Sequence, residues 1–196
     1  MEFIDNIKDR IKYRFLRLIK PEMIGYSRNK DRERLTDTRV SNITHISNPI
    51  NVTLGNNVFV GHFNYIDGFD KVRIGEGSQI TNYVSILTHS SHNALRMYGD
   101  KYIKYWGTKM KGLAYGPVTI GEYSFIGPHS VIMPGTVIGK GCIVGAYSFV
   151  EGSFPDYSIL RGTPAQIIGD TRKLDEALLE EYPEMREFYY MSKKKD

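Results

Sequence analysis

Apolar positions in the middle of the chain recur every six residues. From Leu54 the sequence reads LGNNVF, VGHFNY, IDGFDKVR with two extra residues, IGEGSQ, ITNYVS and ILTHSS. After a break it resumes at Ile120 as IGEYSF, IGPHSV, IMPGTV, IGKGCI, VGAYSF and VEGSFP. Each of these twelve units opens with Leu, Val or Ile. The second position is Gly, Asp or Glu in nine of them, and the fifth is a small or β-branched residue in nine. A helix repeats every 3.6 residues and a strand every two, so neither gives this pattern. The period predicts a prism. Each hexad makes a short strand and a turn, the aliphatic residue points inward, and the small fifth residue fits a tight corner. Glycine supplies the backbone freedom of the turn. Stacked coils pair their backbone groups with one another and bury a continuous apolar column.

The open ends of such a prism need covers. Residues 3–20 place Phe3, Ile7, Ile11, Phe15 and Leu18 on one helical stripe, with Lys8, Arg10, Lys12, Arg14 and Arg17 elsewhere. This reads as a helix that caps the first coil. A basic amphipathic helix resting on an anionic membrane is the alternative, and Asp5 and Asp9 dilute its charge. Residues 171–193 read as a second helix, weakened near Pro183. The expected organisation is a helix and linker over 1–39, the prism over 40–168, and a C-terminal helix with a basic tail over 169–196.

Composition narrows the class. Hydrophobic residues make up 41% of the 196 and charged residues 24%, enough for a core and unlike a disordered tail. A single cysteine, Cys142, excludes an intrachain disulfide framework and a cysteine-ligated structural zinc. The net charge of +4 is too mild to argue for nucleic acid without clustering. No apolar run approaches the ~18 residues of a membrane span, and charges interrupt every apolar stretch of the first twenty residues, so the expected compartment is the cytoplasm.

With the hexads in view, the sequence resembles the hexapeptide-repeat acyltransferases, in particular their sugar O-acetyltransferase branch of galactoside and maltose acetyltransferases. The resemblance covers roughly residues 40–170. It implies an all-β fold, a left-handed parallel β-helix with an N-terminal and a C-terminal α-helix and a long loop extruded from the prism. Left-handed winding runs against the usual right-handed crossover, and it is the resemblance that implies it. Three hexads make a coil in that fold, giving about four coils plus a partial one from Val40 to Val52. The resemblance further implies a homotrimer, acetyl-CoA as co-substrate between adjacent prisms, and a sugar acceptor.

The hexad register disappears between Ser91 and Gly116. Long insertions in compact domains are usually functional or disordered, and the aromatic content here argues against disorder. Arg96, Tyr105, Trp106 and Tyr115 of this loop are candidate acceptor contacts, with packing as the alternative use of each ring. Acyl transfer to a hydroxyl needs a base and an oxyanion donor, and histidine suits the base. His45 carries no signal, while His62 and His129 sit at hexad positions facing outward. His89 and His92 stand together in THSSHNALR, where the family has its catalytic histidine ahead of a Leu-Arg pair. His92 before Leu95-Arg96 is the expected base, and His89 is its rival. Asn64 and Asn82 are candidates to orient the acceptor or the base.

Residues 117–135 resemble the family's acetyl-CoA groove, and GTPAQ at 162–166 resembles its closing signature, with Gln166 replacing the usual basic residue. Gly127, Ala146, Gly162, Pro164 and Ala165 are the implied coenzyme contacts. Lys140, Arg161 and Arg172 are the nearby cations for its phosphates. Pro128 stands where family members offer a backbone N–H to the thioester carbonyl, and proline has none. Cys142 occupies a small-residue corner and reads as core, so transfer is expected to be direct. No metal is expected. Rival readings are a γ-class carbonic anhydrase using His62, His89 and His92, an amino-sugar or antibiotic acetyltransferase, and a non-catalytic scaffold.

Overall fold

The computed structural model describes residues 20–26, 34–105 and 110–189. The N-terminal helix expected over 3–20 lies outside the described residues except for Lys20. So do Trp106, the side chain of Tyr105 and the basic C-terminal end. The described residues form five stacked coils whose strands line three faces. Face one holds Arg39–Ser41, Phe59–Val60, Gln79–Ile80, Phe125–Ile126, Ile143–Val144 and Ser158–Gly162 in parallel. Face two holds His45–Ser47, Tyr65–Asp67, Ser85–Ile86, Val131–Ile132 and Phe149–Val150. Face three holds Val52–Leu54, Val72–Ile74, Val118–Ile120, Val137–Ile138 and Ser153–Phe154. The segment from Val40 to Val52, expected to be a partial coil, belongs to a complete one, because Val52–Leu54 supplies its third side.

Hexad register becomes core register. Leu54, Ile74, Ile120 and Ile138 stack in face three; Val60, Ile80, Ile126, Val144 and Leu160 in face one; Ile66, Ile86, Ile132 and Val150 in face two. All are at most 1% exposed. Each fully buried aliphatic side chain contributes about 1.5–3 kcal/mol relative to exposure.

The fifth-position residues have a second task. Buried hydroxyls reach the carbonyl of a corner glycine one coil on: Thr38 to Gly55 at 2.7 Å, Ser78 to Gly121 at 2.8 Å, Ser124 to Gly139 at 2.9 Å and Ser130 to Gly145 at 3.1 Å. Cys142 takes the same place, its thiol 3.3 Å from the Pro155 carbonyl. Burial pushes that thiol above its ordinary value, which suits a corner filler and not a nucleophile.

Antiparallel strands close face one at both ends. Met23–Gly25 pairs with the first coil and Ala165–Asp170 with the last. Asp170 then caps helix α2 (Thr171–Glu181), accepting from the Arg172 amide at 2.9 Å. The helix stops before Pro183, and a 3-10 turn follows over Pro183–Glu187.

The stacking distance leaves no room at most corners. A Cβ on Gly121 would lie 2.5 Å from the backbone of Gly139 and Lys140, whereas one on Gly145 would meet nothing nearer than 3.4 Å. Gly121→Ala is therefore expected to lower the melting temperature by several degrees, and Gly145→Ala to leave it close to that of the unaltered protein, as read by thermal denaturation.

Candidate active site

The three edges of the prism carry different chemistry. The edge between faces two and three is broken at the third coil. There Thr88 ends the regular path, and His89–Ser90 pairs antiparallel with Ala114–Tyr115 to form a neck. Beyond the neck the chain is not a plain loop: α1 (His92–Tyr98) and a 3-10 segment (Gly99–Tyr105) project from it. Gly116 returns to the prism by donating to the Thr88 carbonyl at 3.0 Å.

His89 sits at the root of this projection. Its Nδ1 lies 2.5 Å from Oδ2 of Asp67, a carboxylate one coil earlier on the same edge. Its ring stacks on Phe69 at 4.4 Å. Asp67 is nearly enclosed, its side chain 3% exposed against 36% for His89. The same Oδ2 accepts from the Thr88 amide at 3.1 Å and the Thr88 hydroxyl at 2.9 Å. Oδ1 accepts from the Phe69 amide at 3.0 Å and the Ser47 hydroxyl at 3.2 Å. Burial alone would push the Asp67 carboxyl up. Hydrogen bonds from His89, from the Thr88 hydroxyl and amide and from the Phe69 amide outweigh it and hold the group below its ordinary 3.8. With Nδ1 held by a carboxylate, the tautomer is fixed and Nε2 carries the lone pair. This arrangement can accept a proton and stabilise the resulting imidazolium.

His92 is placed differently. It opens α1, exposed, and its Nδ1 meets the Ser90 hydroxyl at 2.8 Å. Arg96 turns back onto its own helix, donating to the His92 carbonyl at 2.7 Å and to Asn93. Tyr115 stands in register with His89 across the neck and is 49% exposed.

Asn64 does not face a substrate. It is buried, both amide donors engage the carbonyls of Gly61 (2.9 Å) and Thr81 (2.7 Å), and its oxygen accepts from Val84 (2.7 Å). Asn82 is exposed but uses its oxygen on the His62 amide at 2.7 Å. Both tie coils together. His62 itself lies on the edge between faces one and two, its Nδ1 2.7 Å from the Ser41 hydroxyl. Among the described residues no three His, Cys, Asp or Glu side chains converge on a metal-sized site.

The expected coenzyme contacts divide between two edges. Gly127, Ala146 and the turn Gly162–Pro164 follow one another up the edge between faces one and two, where the Thr163 hydroxyl meets the Tyr147 carbonyl at 3.3 Å. A Cβ on Gly127 would come 2.6 Å from the Ala146 nitrogen. Around Pro128 the backbone donors are spent: Gly127 on Val144 and His129 on Asn82. The Ala146 amide has no acceptor among the described residues. Arg161 and Ala165 border the same edge. Lys140 and Arg172 do not. They flank Tyr157 on the edge between faces three and one, 5.5 and 4.8 Å from its ring centre. Arg172 is also paired with Asp170 at 2.5 Å. These two, read from the sequence as phosphate partners, thus stand on a different edge from Gly127, Ala146 and Gly162.

Residues 117–152 match the family model described as bacterial transferase hexapeptide (six repeats). The stacked units are hexapeptide repeats. The fold is similar to a maltose O-acetyltransferase from Clostridium difficile 630, with 24% identity and a TM-score of 0.54, covering 65% of this chain and 63% of that one. It is also similar to a hexapeptide-repeat-containing acetyltransferase from Vibrio cholerae O1 biovar eltor, solved with acetyl coenzyme A. There the identity is 23% and the TM-score 0.56, covering 69% of this chain and 68% of that one. The chain thus spans somewhat less than two thirds of the maltose O-acetyltransferase. No curated protein gives a significant match. These likenesses establish the hexapeptide-repeat prism as an all-β, left-handed parallel β-helix.

Asp67, Thr88 and Phe69 were not singled out in the sequence. Asp67 occupies a second hexad position, where glycine usually stands, and so reads as one more turn residue. The available signal was spacing. Successive coils here begin 20 residues apart, at Arg39, Phe59 and Gln79, which puts residue 67 beneath Leu87, next to the Thr88–His89 step.

The carboxylate form of Asp67 stabilises the fold above the unfolded value near 3.8, and that contribution fades as pH falls through the lower folded value. Asp67→Asn is expected to be less stable than the unaltered protein at pH 7, with the gap narrowing as pH drops from 5 to 3 in urea unfolding. A gap independent of pH would remove the charge from the account.

Proposed function

We propose that the protein is an acetyl-CoA-dependent O-acetyltransferase acting in the cytoplasm on a sugar hydroxyl, with His89 as general base. The observation that carries the reading is the His89–Asp67 pair: a partly exposed imidazole at the root of the neck with Nδ1 fixed by a buried carboxylate. His92 has no carboxylate behind it, so the base role passes to His89. In the reaction, Nε2 of His89 takes the acceptor's hydroxyl proton as the oxygen attacks the thioester carbon. The oxyanion collapses, the C–S bond breaks, and the imidazolium returns its proton to the departing thiolate. Asp67 stabilises the imidazolium and keeps the ring in place. Such a positioned base contributes about 10²- to 10⁴-fold.

Acetyl-CoA lies along the edge of Gly127, Ala146 and Gly162. The free Ala146 amide offers a donor to a coenzyme carbonyl where Pro128 cannot. The acceptor class is supported by the neighbouring neck residue Tyr115 and by the maltose O-acetyltransferase likeness; a surface polysaccharide is its expected destination. Because His89 and the coenzyme edge lie on different edges of one prism, a single chain presents two half-sites. A ring of three copies, each edge facing the next copy's neck, completes them by a closed heterologous contact.

Calorimetry with acetyl-CoA, with and without a chelator, tests the co-substrate. Saturable binding indifferent to chelation is expected. Absence of binding, with a metal recovered from the protein, would transfer the reading to a metal-dependent lyase. With maltose, galactose and glucosamine as acceptors and thiol release as the readout, His89→Ala is expected to lower kcat about 10²- to 10⁴-fold at similar KM. His92→Ala is expected to remain near the unaltered rate, and the reverse order would return the base to His92. Mixed assemblies of His89→Ala and Gly162→Trp chains should regain activity that neither has alone. Failure to do so, with both binding states verified, would place the whole site within one chain.

A further inference from the structure

Four rings stack along the edge between faces one and two. Phe63 lies on Tyr83 at 4.9 Å, Tyr83 on His129 at 4.8 Å and His129 on Tyr147 at 4.7 Å, with interplanar angles of 8°, 3° and 5°. Parallel rings at this spacing cover one another's faces, so the inner two present only their rims to solvent. The two ends differ. Phe63 is met at 6.4 Å by the His62 ring, tilted 65°. Tyr147 has His129 on one face and no ring on the other among the described residues, and it is 69% exposed. The stack therefore ends in an open aromatic face.

A cation borders the same edge one coil on. Arg161 is exposed and passes over Gly145, two residues before Tyr147, so closely that a Cβ there would meet its Cγ at 3.5 Å. It forms no ion pair among the described residues. A flat heteroaromatic ring is what continues a stack of parallel rings, and a guanidinium beside it is what holds a phosphate. Together the two describe a nucleotide.

We propose that Tyr147 is the stacking platform for the purine base of the acyl carrier, with Arg161, one coil on at the same edge, for a phosphate. The inference rests on the coenzyme A reading above and adds to it the residue that recognises the base. Tyr147 then sets the preference for a nucleotide-bearing thioester over one ending at the pantetheine phosphate.

The test is calorimetry at fixed salt with coenzyme A, adenosine 3′,5′-bisphosphate and pantetheine 4′-phosphate. Tyr147→Asn suits the left-handed backbone at this position, where φ is 58°, and Tyr147→Phe keeps the ring. Asn is expected to weaken coenzyme A and the bisphosphate about ten-fold and to leave pantetheine 4′-phosphate unchanged. Phe should bind all three as the unaltered protein does. Phe63→Asn, at the far end of the stack, should also bind normally and controls for loss of the stack's rigidity. Equal weakening of all three ligands, or none, would overturn the stacking role while leaving the acyltransferase reading intact. If the unaltered protein binds no coenzyme A, that reading falls and this inference with it.

Discussion

The rest of this molecule depends on how closely one coil lies on the next. Corner glycines sit where any Cβ would enter the backbone of the following coil: 2.5 Å at Gly55, Gly75 and Gly121. Buried hydroxyls at Thr38, Ser78, Ser124 and Ser130 then reach the adjacent coil's carbonyls, so these turns are satisfied without a ladder of their own. Close approach, small corner residues and aliphatic columns are one constraint seen from three sides. Enlarging a corner would separate coils and break the ladder on all three faces together.

The candidate site is built where that constraint is relaxed. At Asp67 the second hexad position holds a carboxylate, and the unit is lengthened by two residues to give its oxygens five donors. A buried charge survives only with such pairing. One coil later the path opens at Thr88, whose hydroxyl and amide both serve that carboxylate. The regular prism thus supplies rigidity on either side of a single irregular corner, and His89 inherits it through Asp67. A histidine held in this way differs from His92, which rides on a seven-residue helix outside the prism and whose ring meets a serine hydroxyl.

The difference explains what was legible in the sequence. The fold was, because a six-residue period over twelve units admits few architectures, and even the role of Cys142 followed from its place in the period. The carboxylate partner that sets His89 apart from His92 was not. Local spacing to Leu95-Arg96 favoured His92, whereas the partner of His89 lies 22 residues earlier and becomes adjacent only through the coil repeat. The placement of the cations was hidden for a related reason. Arg172 follows Gly162 by ten residues and Lys140 precedes it by about one coil, yet a prism turns through a full face within a few residues, so both occupy a different edge from Gly162. In a solenoid, residues share an edge when they are one coil apart, and the insertion after Thr88 disrupts that count for anything read across it.

The aromatic stack shows the same logic applied to cost. Phe63, Tyr83, His129 and Tyr147 all have φ between 58° and 60°, where an ordinary L-residue is disfavoured by about 1–2 kcal/mol. Asn or Gly would sit there with less strain, as Asn57 and Gly77 do on another edge. Stacking returns about 0.5–1.5 kcal/mol per pair, which offsets the strain in part. Tyr123 and Tyr157 occupy the same backbone region on that other edge, so what sets these four rings apart is that they stack on one another. Their common surface is the feature that the strained positions secure, and it faces the edge on which the coenzyme reading depends.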